Sequence, residues 1–345
     1  MTISTNQNAS SVAPPARRAP LQRAIEIAVS LVFLVLALRG VQFDALWGAL
    51  RQANYIWLVP AILLTVNTLL IKAWRWQLMF RPEYRLPFGS VFTALSAGYL
   101  ASNVLPARLG EIVSVVLLVS DEPVSVARTL STLIVTRLLD LLSLLVILVG
   151  LLPFVSLPPD MLTAAQGLGV AALFGVVAIV LLSFWRDAAL RLAQRVLRHI
   201  RPLDRPAVYA SLGHLVDGFA LLRRPLGLLL IAITFLAWVS IIVTSWACAQ
   251  AFHLDVPLTA LIFANIVTAL GMLVPSSPGY IGVFHYLVTV ALAPFGVPKE
   301  IALGYAIVWH GSNYLTLSIS GMVALGIHGT SLGQVLERWR RRGLG

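Results

Sequence analysis

Charged residues are scarce in this chain of 345 residues, where Asp, Glu, Lys and Arg together make up 11%. A soluble domain carries about 25%, so the shortage excludes an ordinary water-soluble fold. Apolar residues are correspondingly abundant, at 59%, and the mean hydropathy is +0.88. Apolar stretches of about 20 residues recur and are long enough to cross roughly 30 Å of hydrocarbon. The composition therefore predicts an integral membrane protein.

Cysteine and several well-known catalytic motifs are also missing. The single cysteine, Cys248, excludes an intrachain disulfide and a cysteine-based metal site. The sequence has no Gly-Lys-Ser/Thr phosphate loop and no His-Glu-x-x-His motif. It also has no acidic cluster for Mg²⁺ and nucleotide-sugar chemistry. We therefore expect no enzyme activity, no metal and no cofactor.

Six apolar segments are predicted to be full transmembrane helices, and two longer apolar regions between them are broken by Pro and Gly. The six segments lie at about 22–39, 55–74, 131–154, 162–185, 226–251 and 300–327. The broken regions, 88–120 and 257–298, are predicted to be helical hairpins. Each hairpin could be re-entrant or a pair of full crossings, because either leaves the chain on the side where it entered. The predicted class is an all-α integral membrane protein with eight or more helices.

The basic residues orient the bundle through the positive-inside rule. They concentrate in 186–224, near both termini and after the second span, whereas 154–161 and 251–257 have none. This pattern places both termini in the cytoplasm, the first hairpin on the cytoplasmic face and the second on the outer face. The two halves then have opposite topology, which is the inverted-repeat plan of secondary transporters.

The predicted domain plan follows from this topology. Its parts are a disordered cytoplasmic N-terminus at 1–20, a transmembrane domain at 21–330 with inverted halves at about 21–155 and 160–330, and a basic cytoplasmic tail at 331–345. The expected location is the inner (plasma) membrane. The sequence does not define the oligomeric state.

The net charge of +11 has two explanations, nucleic-acid binding and contact with anionic lipid. Within 186–200, Arg191, Arg195 and Arg198 share one helical face opposite an apolar one. Such a basic amphipathic helix suits an anionic inner leaflet. Positive-inside bias and lipid contact explain the charge, so we expect membrane lipids as partners and no nucleic acid.

The two broken regions carry similar motifs. Val104–Ile112 and Leu273–Ile281 share the pattern Pro-x-x-x-Gly-x-Ile. Matched helix breaks in two inverted halves point to a binding site at the repeat interface. The first motif supplies Asn103, Arg108, Gly110 and Glu111, and the second supplies Ser276, Ser277 and Gly279.

Arg108 and Glu111 are the charged members of this candidate lipid-binding site. A helix that starts near Gly110 would point its N–H groups at an anion, and Arg108 would add a planar fork suited to phosphate. The alternative is a solvated ion pair at the end of the hairpin. Ser276, Ser277 and Gly279 would contribute hydroxyl and backbone donors without charge.

Three further polar residues lie within apolar segments. Arg137 and Asp140 are three residues apart in the span 131–154. They are either a self-neutralised pair or charges that line a cavity, and the second reading adds them to the lipid-binding site. His285 follows the second motif, where it is either a structural residue or a proton relay.

These motifs resemble those of the lysylphosphatidylglycerol synthase transmembrane-region family, also called the flippase-like domain family. Residues 103–111 resemble the family signature N-x-x-P-A-R-x-G-E, and 274–284 resemble P-x-S-P-G-G-I-G-x-x-E. Residues 136–140 resemble E-R-x-x-D. The resemblance covers roughly 20–330. The sequence departs from it at Tyr280 in place of the second Gly, at His285 where an acid is usual, and at Thr136 in place of Glu.

The resemblance implies an inner-membrane protein concerned with lipids. Multidomain members join this bundle to a soluble aminoacyl-transferase domain that makes lysyl-phosphatidylglycerol; no such domain is visible here, so we expect no synthase activity. The bundle itself is linked to moving charged lipids between leaflets, and other relatives act in pathways of polyprenyl-phosphate-linked sugars. We therefore expect a translocase for an anionic or phosphate-bearing lipid. The alternative is a non-transporting accessory subunit for a lipid-linked glycosyltransferase or another envelope enzyme.

Overall fold

The computed structural model describes residues 19–341 except 82, 106–108, 185–189, 192–193, 196–197, 199–224 and 274–275. Most of the predicted N-terminal segment 1–20 and of the basic segment 186–224 therefore lies outside the described residues. Every regular element in the described ranges is helical, which confirms the all-α class. The α-helices are α1 Ala19–Leu38, α2 Phe43–Gln52, α3 Leu58–Leu78, α4 Phe88–Val104, α5 Gly110–Asp121, α6 Val126–Leu151, α7 Pro159–Phe184, α8 Pro225–Ala251, α9 Leu258–Gly271, α10 Val283–Leu292, α11 Lys299–Ile327 and α12 Leu332–Arg341.

The six predicted spans correspond to α1, α3, α6, α7, α8 and α11. Four helical segments in the described residues are long and apolar enough to cross a membrane, or up to six if each bent pair counts as one span. The four are Tyr55–Leu78, Val126–Phe154, Pro225–Ala251 and Pro278–Phe295. The bent pairs are α1 with α2 and α11 with α12, with bends of 87° and 76°. The chain is therefore a multi-pass membrane protein.

The two broken regions form helical hairpins, α4–α5 and α9–α10. The lengths of α5 and α10 are 12 and 10 residues, or about 18 and 15 Å at 1.5 Å per residue. Neither helix alone spans roughly 30 Å of hydrocarbon. Even with its flanking 3₁₀ turns, the segment around α10 is interrupted by positive φ at Gly279 and Gly282. The length of α5 favours the re-entrant form for the first hairpin, whereas the interrupted segment Pro278–Phe295 of the second is long enough to cross.

The matching helices of the two halves, α3 and α8, pack against each other and run antiparallel. The Thr68 hydroxyl donates to Ser240 Oγ at 2.8 Å, while Arg75, two turns later in α3, reaches Thr234, two turns earlier in α8. At the other end, the Asn54 N–H donates to the Ala251 carbonyl at 2.7 Å. The first hairpin follows α3 and the second follows α8, so the hairpins begin at opposite ends of the bundle.

The contacts between the halves repeat with the halves exchanged. Helix α3 contacts α4, α6 and α11, and its counterpart α8 contacts α9, α11 and α6. Likewise α4 packs on α5 and α11, and α9 packs on α10 and α6. This exchange is what a pseudo-twofold relation between inverted halves produces. It places both hairpins against the central helices.

Two amphipathic helices, α2 and α12, lie where loops or tails were expected. In α2, Leu46 is buried while Phe43 and Trp47 are exposed. In α12, Val335, Leu336 and Trp339 pack against Ile112 and Val116 of α5. The segment 331–345, predicted as a basic tail, thus contains a helix that covers one side of the first hairpin.

Candidate functional site

A pair of opposite charges lies at the deep end of the first hairpin. Arg137 Nε donates to Glu111 Oε1 at 2.9 Å, and the two side chains are 53% and 45% exposed. Glu111 is in the first turn of α5, and Arg137 is in the fourth turn of α6, about 16 Å along its axis. Ionisable residues at membrane depth are costly and mark pathways or sites. The half-exposed pair therefore links α5 to α6 and is a candidate for a functional role.

A second ion pair, which is buried, ties α6 to the central helix α3. Arg75 binds Asp140 through both Nη atoms, at 2.6 and 3.1 Å, and Arg75 Nη1 also donates to Thr234 of α8 at 2.8 Å. Arg75 is 1% exposed and Asp140 is 18% exposed. This bidentate geometry fixes three helices relative to each other.

These partners correct the sequence-based readings of Arg137 and Asp140. The two residues do not pair with each other, because Asp140 points to α3 while Arg137 points to α5. Each therefore neutralises a charge on another helix. Glu111, whose alternative reading was an ion pair with Arg108, is paired with Arg137 in the described structure. Arg108 itself lies outside the described residues.

Lys72 and Arg75 are the residues that sequence reasoning misplaced. Both are among the basic residues that the positive-inside rule places at the cytoplasmic end of the second span, but α3 extends to Leu78 and carries both inside the bundle. Lys72 Nζ donates to the Tyr99 hydroxyl of α4 at 3.3 Å. That hydroxyl also lies close enough to Arg137 and Asp140 to interact electrostatically with both. The signal in the sequence was their position: Lys72 and Arg75 lie six and three residues before the end of α3 at Leu78, and could therefore belong to the helix.

The two broken motifs meet at α11. Asn103 Nδ2 donates to the Tyr314 carbonyl at 3.2 Å and to Ser318 Oγ at 2.9 Å, and the Tyr314 hydroxyl donates back to the Asn103 carbonyl at 3.2 Å. A Cβ on Gly279 would lie 2.8 Å from the Tyr314 ring. The end of α4 also contacts the turn Pro278–Tyr280. The structure thus brings the described parts of both motifs together.

Gly110 has a packing role in the described structure. A Cβ there would collide with the Gly98 carbonyl and with Ser102 of α4. The close approach predicted for Gly110 is therefore between α5 and α4. Small residues allow this in membrane helix pairs.

The serines of the second motif have different surroundings. The Ser277 N–H donates to Ser30 Oγ of α1 at 2.8 Å, so it fastens the second hairpin to the first helix. Ser276 Oγ is buried and has no hydrogen-bond partner among the described residues. A buried hydroxyl without a partner is costly, which keeps Ser276 in the candidate site.

His285 is held at the start of α10. Its Nδ1 accepts from the Gly282 N–H at 3.3 Å, and its ring lies 5.1 Å from that of His310. Phe284 stacks on His310 with a centroid separation of 4.8 Å. The second hairpin therefore presents imidazole and aromatic groups where the first presents an ion pair.

Gly329–Gly333 has the Gly-x-Ser-x-Gly spacing of serine hydrolases, but it joins α11 to α12. The Gln334 N–H donates to Ser331 Oγ at 3.3 Å, and the Ser331 N–H donates to Gln334 Oε1 at 3.0 Å. This reciprocal arrangement is a capping box. A nucleophile elbow instead requires a strand that turns into a helix. Ser331 therefore serves as a helix cap.

The architecture and the buried charges define the class, a polytopic α-helical membrane protein with inverted halves. The chain belongs to the lysylphosphatidylglycerol synthase TM region family, whose model matches residues 23–321. It is also similar to a UPF0104 membrane protein of Methanothermobacter thermautotrophicus, with 22% identity over 338 residues, which cover 91% of this chain and 97% of that protein. No solved structure matches the chain.

Proposed function

We propose that the protein is a translocase for an anionic or phosphate-bearing lipid. The observation that supports this most directly is the half-exposed ion pair between Glu111, in the first turn of α5, and Arg137, in the fourth turn of α6. A guanidinium kept at that depth, open on one side, can bind a phosphate head group as it leaves one leaflet. The family supports a membrane role connected with lipids.

The packing of the helices between the two halves supports an alternating-access mechanism. The central helices α3 and α8 are related by the inverted repeat, and each hairpin packs against the other half through α11 or α6. Rocking of one half against the other would open the junction of the two broken motifs to one leaflet at a time. The head group would cross there, with its acyl chains in the bilayer.

The proposed location is the inner (plasma) membrane with both termini in the cytoplasm, as the basic residues indicate. In this orientation the Glu111–Arg137 pair faces the cytoplasmic leaflet first. The first hairpin would therefore perform charge recognition, while the second would close the path on the outer side. The proposed activity is transport without covalent chemistry.

Reconstitution tests this proposal. The purified chain is reconstituted into proteoliposomes that contain a fluorescent phosphatidylglycerol. Dithionite bleaches only the probe in the outer leaflet, so the bleached fraction over time measures lipid exchange between the leaflets. We expect faster exchange than in empty liposomes. Arg137→Gln should slow it at least about tenfold, because a charge-assisted hydrogen bond is lost. The control is Arg81→Gln, which removes an exposed charge of the turn after α3.

Two results would contradict the proposal. Exchange at the empty-liposome rate by a folded protein, together with a stable partner retained in gentle detergent, would favour the accessory-subunit alternative. Equal rates for the wild type and Arg137→Gln would remove the assigned role of the ion pair.

A further inference from the structure

We propose that Lys72, Tyr99 and Arg137 form an oxyanion subsite that holds the phosphate of the ligand. This inference rests on the proposed function for the identity of the ligand, but not for the existence of the subsite. The three residues come from α3, α4 and α6. Neither Lys72 nor Tyr99 belongs to any of the motifs recognised in the sequence.

The first argument is charge. The described cluster contains three cations, Lys72, Arg75 and Arg137, and two carboxylates, Glu111 and Asp140. Asp140 is bound by both Nη atoms of Arg75, and Glu111 is bound by Arg137. Lys72, only partly exposed, has no carboxylate within salt-bridge distance among the described residues. Asp140 lies within electrostatic range of Lys72, but both of its oxygens are bound by Arg75. The described cluster therefore keeps one positive charge in excess, which an anionic ligand can balance.

The second argument is the supply of hydrogen-bond donors. Lys72 uses one of its three N–H groups, on the Tyr99 hydroxyl. That hydroxyl accepts this bond, and its own hydrogen has no acceptor in the described part of the chain. Within the part of the chain that the structure describes, Arg137 uses only Nε, on Glu111, which leaves both Nη groups available. All of these groups donate, as an oxyanion requires.

The third argument is position. The Tyr99 hydroxyl accepts from Lys72 at 3.3 Å and lies within electrostatic range of Arg137. The ammonium, the hydroxyl and the guanidinium belong to three helices, α3, α4 and α6. Donors from three helices suit a tetrahedral phosphate better than a planar carboxylate. Arg137, being half exposed, leaves the group accessible.

Phosphate on a lipid and free phosphate share this chemistry, so the test includes both. Purified protein in detergent is titrated with dihexanoyl phosphatidic acid, inorganic phosphate or dihexanoylglycerol, and the dissociation constant is taken from calorimetry. The variants are Lys72→Gln, Lys72→Arg and Tyr99→Phe. Arg81→Gln again removes a nearby charge outside the cluster. Thermal unfolding confirms that each variant is folded.

We expect phosphatidic acid to bind and dihexanoylglycerol not to bind. Lys72→Gln should weaken phosphatidic acid about tenfold or more and Tyr99→Phe about threefold to tenfold, whereas Lys72→Arg and Arg81→Gln should stay close to the wild type. Inorganic phosphate should compete weakly. If inorganic phosphate binds as tightly as phosphatidic acid, the subsite stands with free phosphate as its ligand.

Unchanged binding in Lys72→Gln and in Tyr99→Phe would overturn the subsite, as would equal binding of dihexanoylglycerol. If Lys72→Gln fails to fold, Tyr99→Phe decides, because it removes a single oxygen. The leaflet assay separates the two proposals. If Lys72→Gln and Tyr99→Phe bind phosphatidic acid normally and still transport lipid, only the subsite is contradicted. If the wild type binds phosphatidic acid specifically but does not transport lipid, only the translocase is contradicted.

Discussion

The first hairpin sets Glu111 against Arg137 of α6, whereas the second sets Phe284 and His285 against His310 of α11. The two hairpins occupy equivalent places in the inverted halves and share a Pro-x-x-x-Gly-x-Ile motif. Their helix breaks thus lie at equivalent places in the chain, while their side chains differ in charge. Both copies of a repeat can keep the break in the helix, which shapes a cavity, while only one copy carries the charged residues that recognise the ligand.

The same asymmetry is found in the polar contacts that join the helices within each half. The first half ties α3 to α6 through the buried Arg75–Asp140 pair. In the second half the equivalent helices are α8 and α11, where the Tyr305 hydroxyl donates to the Ser245 carbonyl at 3.1 Å, and the bond involves no charge. Removing one partner should therefore have unequal consequences in the two halves.

The largest effect is expected for Asp140→Ala. Without Asp140, the Arg75 guanidinium is left buried and without a counter-ion, so the free energy of unfolding should fall by about 3–5 kcal/mol. The matched change in the second half, Tyr305→Phe, removes the hydroxyl that joins α11 to α8 and should cost about 0.6–1.7 kcal/mol. Unfolding in detergent measures both. Replacing both partners, as Arg75→Met with Asp140→Leu, should recover much of the loss. Equal losses in the two single variants would show that the halves do not differ in this way.

The second effect concerns the closest helix contact in each hairpin. In Gly110→Ala the new methyl group meets backbone atoms of Gly98 and Ser102, which cannot rotate away. We expect a loss of about 1–3 kcal/mol. In Gly271→Ala it meets only the tip of the Leu287 side chain, so the loss should stay below about 1 kcal/mol. Melting temperatures and the yield of folded protein test the order, and the reverse order would be incompatible with the packing described.

The third effect lies at the junction of the hairpins. Gly279 has φ +70° and lies against the Tyr314 ring. Gly279→Ala should therefore cost about 1–2 kcal/mol for a non-glycine residue in the left-handed region, with a further contribution from the ring contact. In a Tyr314→Ala background the ring contribution should disappear. A double-mutant cycle would measure it as an interaction energy of at least about 0.5 kcal/mol. Strict additivity would mean that the motifs do not meet at Tyr314.

Most of the fold could be predicted from the sequence, because long apolar segments bounded by Pro, Gly and basic residues determine where membrane helices start and end. The two amphipathic helices were missed although their pattern was present. Phe43, Leu46, Trp47 and Leu50 in α2, and Leu332, Val335, Leu336 and Trp339 in α12, repeat at i, i+3, i+4 and i+7. Both segments are too short to span a bilayer, so a search for spans passes over them.

The candidate site was predictable only in part. Glu111, Arg137 and Asp140 stood out because charges are rare in apolar segments. Their partners did not, since Arg75 and Lys72 lie near a helix end where basic residues are ordinary topology signals. Asp140 is 65 positions from Arg75, and nothing in one sequence specifies which helices will face each other. Gly110 was noticed for its flexibility, but its role depends on Gly98 across the hairpin.

The smallest effect is expected for His285→Asn. In the structure, His285 Nδ1 accepts the Gly282 N–H, and an Asn carbonyl oxygen can accept the same bond, so stability should change by less than about 0.5 kcal/mol. If the first hairpin alone carries charge recognition, lipid exchange by this variant should stay within about twofold of the wild type, since no charge-assisted bond is lost.

A proton relay would give a different result, because Asn cannot take up a proton. Exchange rates measured from pH 5.5 to 8 separate the roles: a loss of pH dependence in His285→Asn, with His253→Asn as the control, would assign the relay to the second hairpin and make both hairpins chemically active.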